Sequence, residues 1–285
     1  MNFNFNTNVF NSVISTFKHM IYQSYNSLQI VECSEHLSAI ERKHLSASML
    51  CTLHMSRICN VVDYLLNSED DSREQTLESF EIENLIEEIV CRFESAVSNY
   101  SPVSIDLSTK LKDTNSILLS KSHFELVILN LLYCCVKTKP DGNPIPVKIS
   151  ISVTENKNDI VFHIRDNNKS LDIEEINTAF WDSASSFESI DGWSFATLIA
   201  LSLRVAQKST KEMNGSLIYT PLKHGNRYDI HLPKLVNTPT YMMCSPVPYV
   251  PTYSYYNEFF ADLKLEHILR KIISCFEEET EGINL

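Results

Sequence analysis

Glycine is scarce: five residues in a chain of 285, where ordinary usage of roughly 7% would supply about 20. A function that cradles phosphate in a glycine-rich loop therefore starts with few of the residues that let backbone approach a ligand closely. Basic charge is short as well. Lys and Arg total 24 against 36 Asp and Glu, a formal net charge of −12, which repels phosphate backbones and anionic lipid and argues against nucleic acid or a membrane as partner. The eight cysteines, Cys33, Cys51, Cys59, Cys91, Cys134, Cys135, Cys244 and Cys275, include no CxxC pair. A chain this long needs no disulfide staples, so they are expected to be reduced and mostly buried. No apolar run approaches 18 residues, and MNFNFNTNVF has neither a basic n-region nor an apolar h-region, so the expected compartment is the cytoplasm.

What is present is an ordinary globular composition, 44% hydrophobic and 21% charged, enough for one large or two small domains. Between about residues 8 and 36, Phe10, Ile14, Phe17, Ile21, Leu28 and Val31 recur at spacings of three and four, with Ser24 at the one polar seam position. This is a heptad stripe for a helix that packs on other helices. A second helical pattern, from about 38 to 67, stops in the acidic stretch SEDDSRE. A two-helix hairpin cannot enclose a core alone, and a dimeric four-helix bundle completes it.

After Ser68 the period changes. ESFEI reads as a strand, ENLIEEIVCRFESAVSNY as an amphipathic helix, VSIDLST and SILLS as strands, and KSHFELVILNLLYCCVKT as a largely buried helix. The turn KPDGNP leads into VKISISVTE and DIVFHIRD, an antiparallel hairpin pattern. DIEEINTAFW and SFATLIALSLRVAQKSTKEM are helical, Asn214 and Gly215 end the second, and GSLIYTPL with RYDIHLP forms a closing hairpin. The expected class is α+β, not a doubly wound parallel sheet. Three segments follow: a helical hairpin over 1–68, a mixed α/β unit over 76–233, and a Pro- and Tyr-rich linker with a C-terminal helix over 234–285.

The order of elements and the local text together resemble the bacterial sensor histidine kinases, from the dimerisation hairpin through the ATP-binding domain of the GHKL (Bergerat) type. The resemblance spans roughly residues 8 to 233. HFELVILNLLYCCVKTKPDGNPIPVKISISV is similar to the N box, a helix of the form LxxvlxNLlxNAiKyTp followed by a turn and a strand. DIVFHIRDNNKSL stands where the family has a strand ending in DNGxGI, and EMNGSLIYTPLKHGNRYDIHLP is similar to the closing HxGxlxvxSxxgxGtxFxixLP hairpin.

The resemblance implies an ATP pocket, and the letters that would build it have thinned. In the family the second N-box asparagine gives an oxygen to the magnesium that bridges the nucleotide phosphates, a role suited to hard oxygen ligands. Asn130 keeps the first asparagine and Lys137 the lysine, but the second asparagine falls on Cys134, and a neutral thiol is a poor magnesium ligand. Asp166, the position that accepts a hydrogen bond from the adenine amino group, survives without its glycines. The GxGLGL motif that cradles phosphate is reduced to Gly192, followed by Trp193, Ser194 and Phe195. Asp166 reads equally as a strand-end turn residue bonded to its own backbone. No metal site is assigned.

For the family's phosphoacceptor motif SHELRTPL, the best-placed text is KHMIYQSY. With Ile14 and Ile21 at heptad position a, His19 falls at f, which points away from the seam. Met20 replaces the acid that follows the histidine, so His19 reads either as a phosphoacceptor or as a solvated surface residue.

Three functional readings follow from the resemblance. The first is a degenerate kinase or scaffold that docks a response-regulator receiver domain or a partner histidine kinase as a homodimer. The second is an ATP- and Mg2+-dependent autokinase using His19, and the third an ATP-independent histidine phosphotransferase. No cofactor is expected unless the second holds.

Overall fold

The computed structural model of the chain describes residues 7–66, 77–100, 102–111, 116–137, 146–171, 195–234 and 259–268 without 262 and 266. The expected KPDGNP turn, the DIEEINTAFW helix, Gly192 and Trp193, Cys244 and Cys275, and the end of the C-terminal helix lie outside the described residues. Residues 1–69 and 251–285 form one compact unit and residues 70–250 another.

The first unit is built on two helices, α1 (Thr7–Glu32) and α2 (Ala39–Leu66), which pack on each other. The start of α2 is written in its sequence as Ser-Ala-Ile-Glu. The Glu41 amide donates to Ser38 Oγ at 3.3 Å, and Glu41 Oε2 accepts from the Ser38 amide at 2.7 Å, a reciprocal capping box. Lys18 of α1 pairs with Asp63 of α2. The heptad stripe on α1 divides into two rows. Ile14, Ile21 and Leu28 are half-buried, whereas Phe17 and Val31 remain 52% and 47% exposed, beside Met20 at 56%. On α2, Ala47, Met49, Thr52 and Arg57 are buried, and the Arg57 guanidinium lies 4.3 Å from the ring centroid of Phe259. The C-terminal segment thus contributes buried Phe259, Phe260, Ala261 and Leu263 to this unit.

In the second unit, strands β1 (Glu78–Glu81), β2 (Val103–Lys110), β3 (Ser116–Leu119), β4 (Val147–Glu155), β5 (Asp159–Asp166), β6 (Ser216–Leu222) and β7 (Gly225–Pro233) accompany helices α3 (Ile82–Val97), α4 (Lys121–Lys137) and α5 (Phe195–Glu212). β1 and β3 pair antiparallel, and the remaining strands form a sheet in the order β2-β4-β5-β7-β6. Among the described strand pairs, only β2 and β4 run parallel. The result is the α+β layering expected from the element order. Alternation on β4 buries Val147, Ile149, Ile151 and Val153 and leaves Lys148 and Ser150 wet, so one sheet face carries the core.

Helix α4 is apolar on every side and is enclosed accordingly, with Phe124, Ile128, Leu131 and Tyr133 at zero or one per cent exposure. It packs on α3, α5 and the sheet, and the Phe124 ring lies 5.0 Å from that of Phe162 on β5. Helix α5 ends as its Asn-Gly signal predicts. Asn214 takes a φ of 59°, its amide donates to Lys211 O at 2.9 Å, and the Gly215 amide donates to Thr210 O at 2.9 Å, the double closure of a Schellman motif. The expectation of mostly buried cysteines needs correcting. Cys134 and Cys135 are buried on α4, but Cys33, Cys51 and Cys91 are exposed and Cys59 is half-buried, because the helices that carry or precede them each keep a wet face.

Glu125 is the charged residue α4 cannot expose. It is 2% exposed, and its Oε1 has no hydrogen-bond partner among the described residues, with Lys121 Nζ at 4.0 Å. Burial raises its carboxyl to about 7, against the smaller opposing pull of Lys121 and Arg92. Because the folded value lies above the unfolded one, stability is greatest below the unfolded value of 4.5 and falls as pH rises through 7. The loss for this group is about 3 kcal/mol. Urea melts of Glu125→Gln should therefore show less decline between pH 5 and 8 than the parent, and a parallel decline would assign the effect to another group.

Candidate functional site

The carboxyl end of β5 brings Asp166 against the turn between β6 and β7. The approach is so close that a Cβ on Gly225 would lie 2.0 Å from the Asp166 carbonyl oxygen, and Gly225 has a φ of +119°. No other residue type fits either condition. This contact lets the next residue, Asn226, reach Asp166. Its side-chain amide Nδ2 donates to both carboxylate oxygens at 3.1 Å each, and its backbone amide donates to Oδ1 at 3.1 Å. The Asn168 amide donates to Oδ1 at 2.9 Å. Asp166 is thus bonded to its own turn, as one of its two readings had it, and also across the sheet.

Asn226 is itself fully engaged. Its Oδ1 accepts from the Leu171 amide at 2.9 Å and the Tyr219 hydroxyl at 2.8 Å, and its Nδ2 also donates to Lys169 O at 3.1 Å. Ser170 Oγ donates to Leu222 O and Gly225 O, and Asn168 Nδ2 donates to Cys135 O. Residues 166–171 are therefore stitched both to the β6–β7 hairpin and to α4. Burial raises the Asp166 carboxyl, while hydrogen bonds from Asn168, Asn226 and the Cys135 thiol oppose the rise. The Cys135 thiol is pushed well up, chiefly by its complete burial and next by the Asp166 charge.

The other expected residues are dispersed along α4. Asn130 is fully buried. Its Nδ2 donates to Leu126 O at 2.7 Å, and its Oδ1 has no hydrogen-bond partner. Cys134, one turn on, is also fully buried, and Lys137 closes the helix half-buried. The Tyr228 hydroxyl is buried without a hydrogen-bond partner and is within electrostatic reach of Cys134, Cys135 and Asp166. Gly192 lies outside the described residues. The α4 end of the site thus holds one amide oxygen, two thiols and a phenol, whereas the Asp166 end is an amide-filled carboxylate.

In the other unit, His19 is exposed on α1, and its Nε2 lies 3.2 Å from Gln23 Nε2. The neighbouring charges on α1 and α2, Lys18 and Asp63, pair with each other. Reading the sequence missed Asn226, Tyr219 and Asn168. For Asn226 the signal was present: the small residue after glycine in the closing motif GtxF falls on it, directly after Gly225.

Residues 120–236 match the model of the histidine kinase-, DNA gyrase B- and HSP90-like ATPases. That segment is therefore similar to the GHKL-type ATPase domains, and the fold of the chain is one that histidine kinases of known structure share. The full-length structure of ShkA in complex with AMPPNP is similar over 80% of this chain and 46% of that one, with 15% identity and a TM-score of 0.60. The histidine kinase AdeS of Acinetobacter baumannii is similar over 78% of this chain and 96% of that one, with 14% identity and a TM-score of 0.50. No curated protein matches the sequence.

Removing the Asn226 side chain strips two donor contacts from a buried carboxylate and leaves the Leu171 amide with the Tyr219 hydroxyl, 3.1 Å away, as its remaining acceptor. Asn226→Ala should cost about 1–3 kcal/mol. A melting temperature within a degree of the parent would show that the network adds little.

Proposed function

We propose that this protein is a histidine-kinase-like signalling protein that does not use ATP productively and acts by docking a response-regulator receiver domain or a partner histidine kinase. The observation that carries this reading is the occupation of Asp166. An adenine amino group must donate to that carboxylate, and Asn226 Nδ2 already does so to both oxygens. A base donating to Asp166 would compete with those bonds for the carboxylate, beside an Asn226 already held by Lys169, Leu171 and Tyr219.

Fit to magnesium is no better. At the position of the second N-box asparagine stands the buried Cys134, a neutral sulfur where a hard cation wants oxygen. Asn130 Oδ1, one turn before Cys134 on the helix, is fully buried and cannot coordinate a bridging metal unaided. The residues present do not fit a magnesium nucleotide.

The docking side of the reading rests on α1. Val13, Phe17 and Met20 form an exposed apolar strip along it, continued by Ile30 and Val31. A second copy covering this strip gives the homodimer, and the exposed His19 leaves a face for a receiver domain. The partner would be held by the helical unit, with the ATPase-type unit as a structural companion.

Two measurements test the proposal. With millimolar ATP and Mg2+, the melting temperature should not move, whereas a ligand at 100 times its Kd adds about 2.7 kcal/mol. A magnesium-dependent rise that Asp166→Ala abolishes would overturn the reading in favour of an active kinase. Sedimentation of Phe17→Asp should give half the parent's mass, since the substitution places a charge in a surface that association would bury. An unchanged mass for that variant would place the interface elsewhere.

A further inference from the structure

The outward face of the five-stranded sheet carries a polar cluster that plays no part in the Asp166 site. Along β5, Phe162 and Ile164 are buried, whereas His163 is half-buried and Arg165 exposed on the other face. His163 Nδ1 lies 2.6 Å from Asp229 Oδ1 on β7, and His163 Nε2 lies 3.0 Å from Thr154 Oγ1 on β4. Arg227 Nε donates to the same Asp229 oxygen at 2.9 Å, and its Nη2 is 3.3 Å from His163 Nδ1. Arg165 stands directly opposite Arg227 in the β5–β7 register.

These contacts decide the state of the ring. Arg227 and His163 hold the Asp229 carboxyl low against the opposing effect of its burial, so it is an ionised acceptor. The Nδ1 facing it therefore carries the proton, and the lone pair is left on Nε2. Thr154 contributes one rotatable hydroxyl to that lone pair. His123 differs, since Ser120 Oγ at 2.8 Å and Glu212 Oε2 at 3.1 Å flank its two nitrogens. His19 has an amide neighbour but no carboxylate within ion-pair distance among the described residues.

Two arginines placed face to face across a strand pair repel each other, an arrangement that costs stability unless something anionic lies between them or beside them. Asp229 meets Arg227. Arg165 has no described partner and lies two residues from His163 on the same face. The cluster therefore combines an oriented nucleophilic nitrogen with guanidinium groups that favour an anionic electrophile, and tetrahedral phosphoryl oxygens suit them well.

We propose that His163 is a phosphoryl-acceptor site, with Nε2 as nucleophile, Asp229, itself paired with Arg227, as the residue that positions the ring, and the exposed Arg165 as the guanidinium that attracts the phosphoryl oxygens. The donor class is a small or protein-borne phosphoryl compound with a labile P–N or acyl-phosphate bond. Phosphoramidate, as its zwitterion, is a donor of this class. Nε2 gives its lone pair to phosphorus, the P–N bond breaks, and ammonia leaves with the three protons already on its nitrogen. The ring becomes an Nε2-phosphorylated imidazolium whose positive charge faces the Asp229 carboxylate. No oxidant, metal or nucleotide enters, and the site depends on neither His19 nor Asp166.

The test is to incubate the full-length protein with phosphoramidate at neutral pH and map acid-labile phosphate by mass spectrometry. The label should appear on the peptide holding His163 and be absent from it in His163→Gln. Asp229→Asn should slow labelling on the order of tenfold, because the developing imidazolium loses its counter-charge. Arg165→Gln alters an exposed side chain and leaves the core untouched. It should lower the rate at low phosphoramidate and recover at high concentration, which a purely structural role would not produce. Label confined to His19 or another histidine, or equal rates at every donor concentration in Arg165→Gln and the parent, would overturn the assignment.

Discussion

A helix with no polar face can exist in water only if other elements enclose it on all sides. Helix α4 is such a helix, and its enclosure organises the ATPase-type unit: the sheet lies against it through Phe124 and Phe162, and α3 and α5 pack on other sides. Its apolar surround also sets the chemistry along it. Glu125 is driven toward neutrality, and Asn130 keeps an oxygen without a partner. The two thiols at its carboxyl end are sealed from water, beside the backbone turn that carries Asp166. Groups that would be ionised and mobile at a wet helix surface are here neutral or fixed.

The two sides of the sheet consequently hold aspartates of opposite character. Asp166, on the enclosed side, is raised by burial and bonded to amides, which bring no charge to balance it. Asp229, on the outward side, is lowered by a guanidinium and an imidazole. Two strands, β5 and β7, support both environments, because successive residues point to opposite faces and a single-residue step changes the medium. Ionised carboxylate charge is thus favoured on the outer face and disfavoured on the enclosed one.

Most of the fold was legible because its signals are local. Alternation located β4 and β5, three- and four-residue spacing located α1 to α4, and Asn214-Gly215 marked the end of α5. The departures from the resembled motifs, Cys134 and the scarce glycines, are local features of the sequence in the same way. What could not be read was pairing at long range. The bond from Asn226 to Asp166 joins residues 60 apart in the chain, and it exists because Gly225 allows two backbones to approach, a relation no window of sequence contains. The burial of Phe259 against Arg57 is non-local in the same way, as is the division of the α1 stripe into a half-buried and an exposed row, which depends on what α2 already covers.

The grouping of residues 251–285 with the helical hairpin makes that unit discontinuous in the chain. Its two contributions are separated by the whole of residues 70–250. A fragment cut after Leu66 would keep both long helices and yet lose the ring over which the Arg57 guanidinium lies, leaving a buried cation without its aromatic cover.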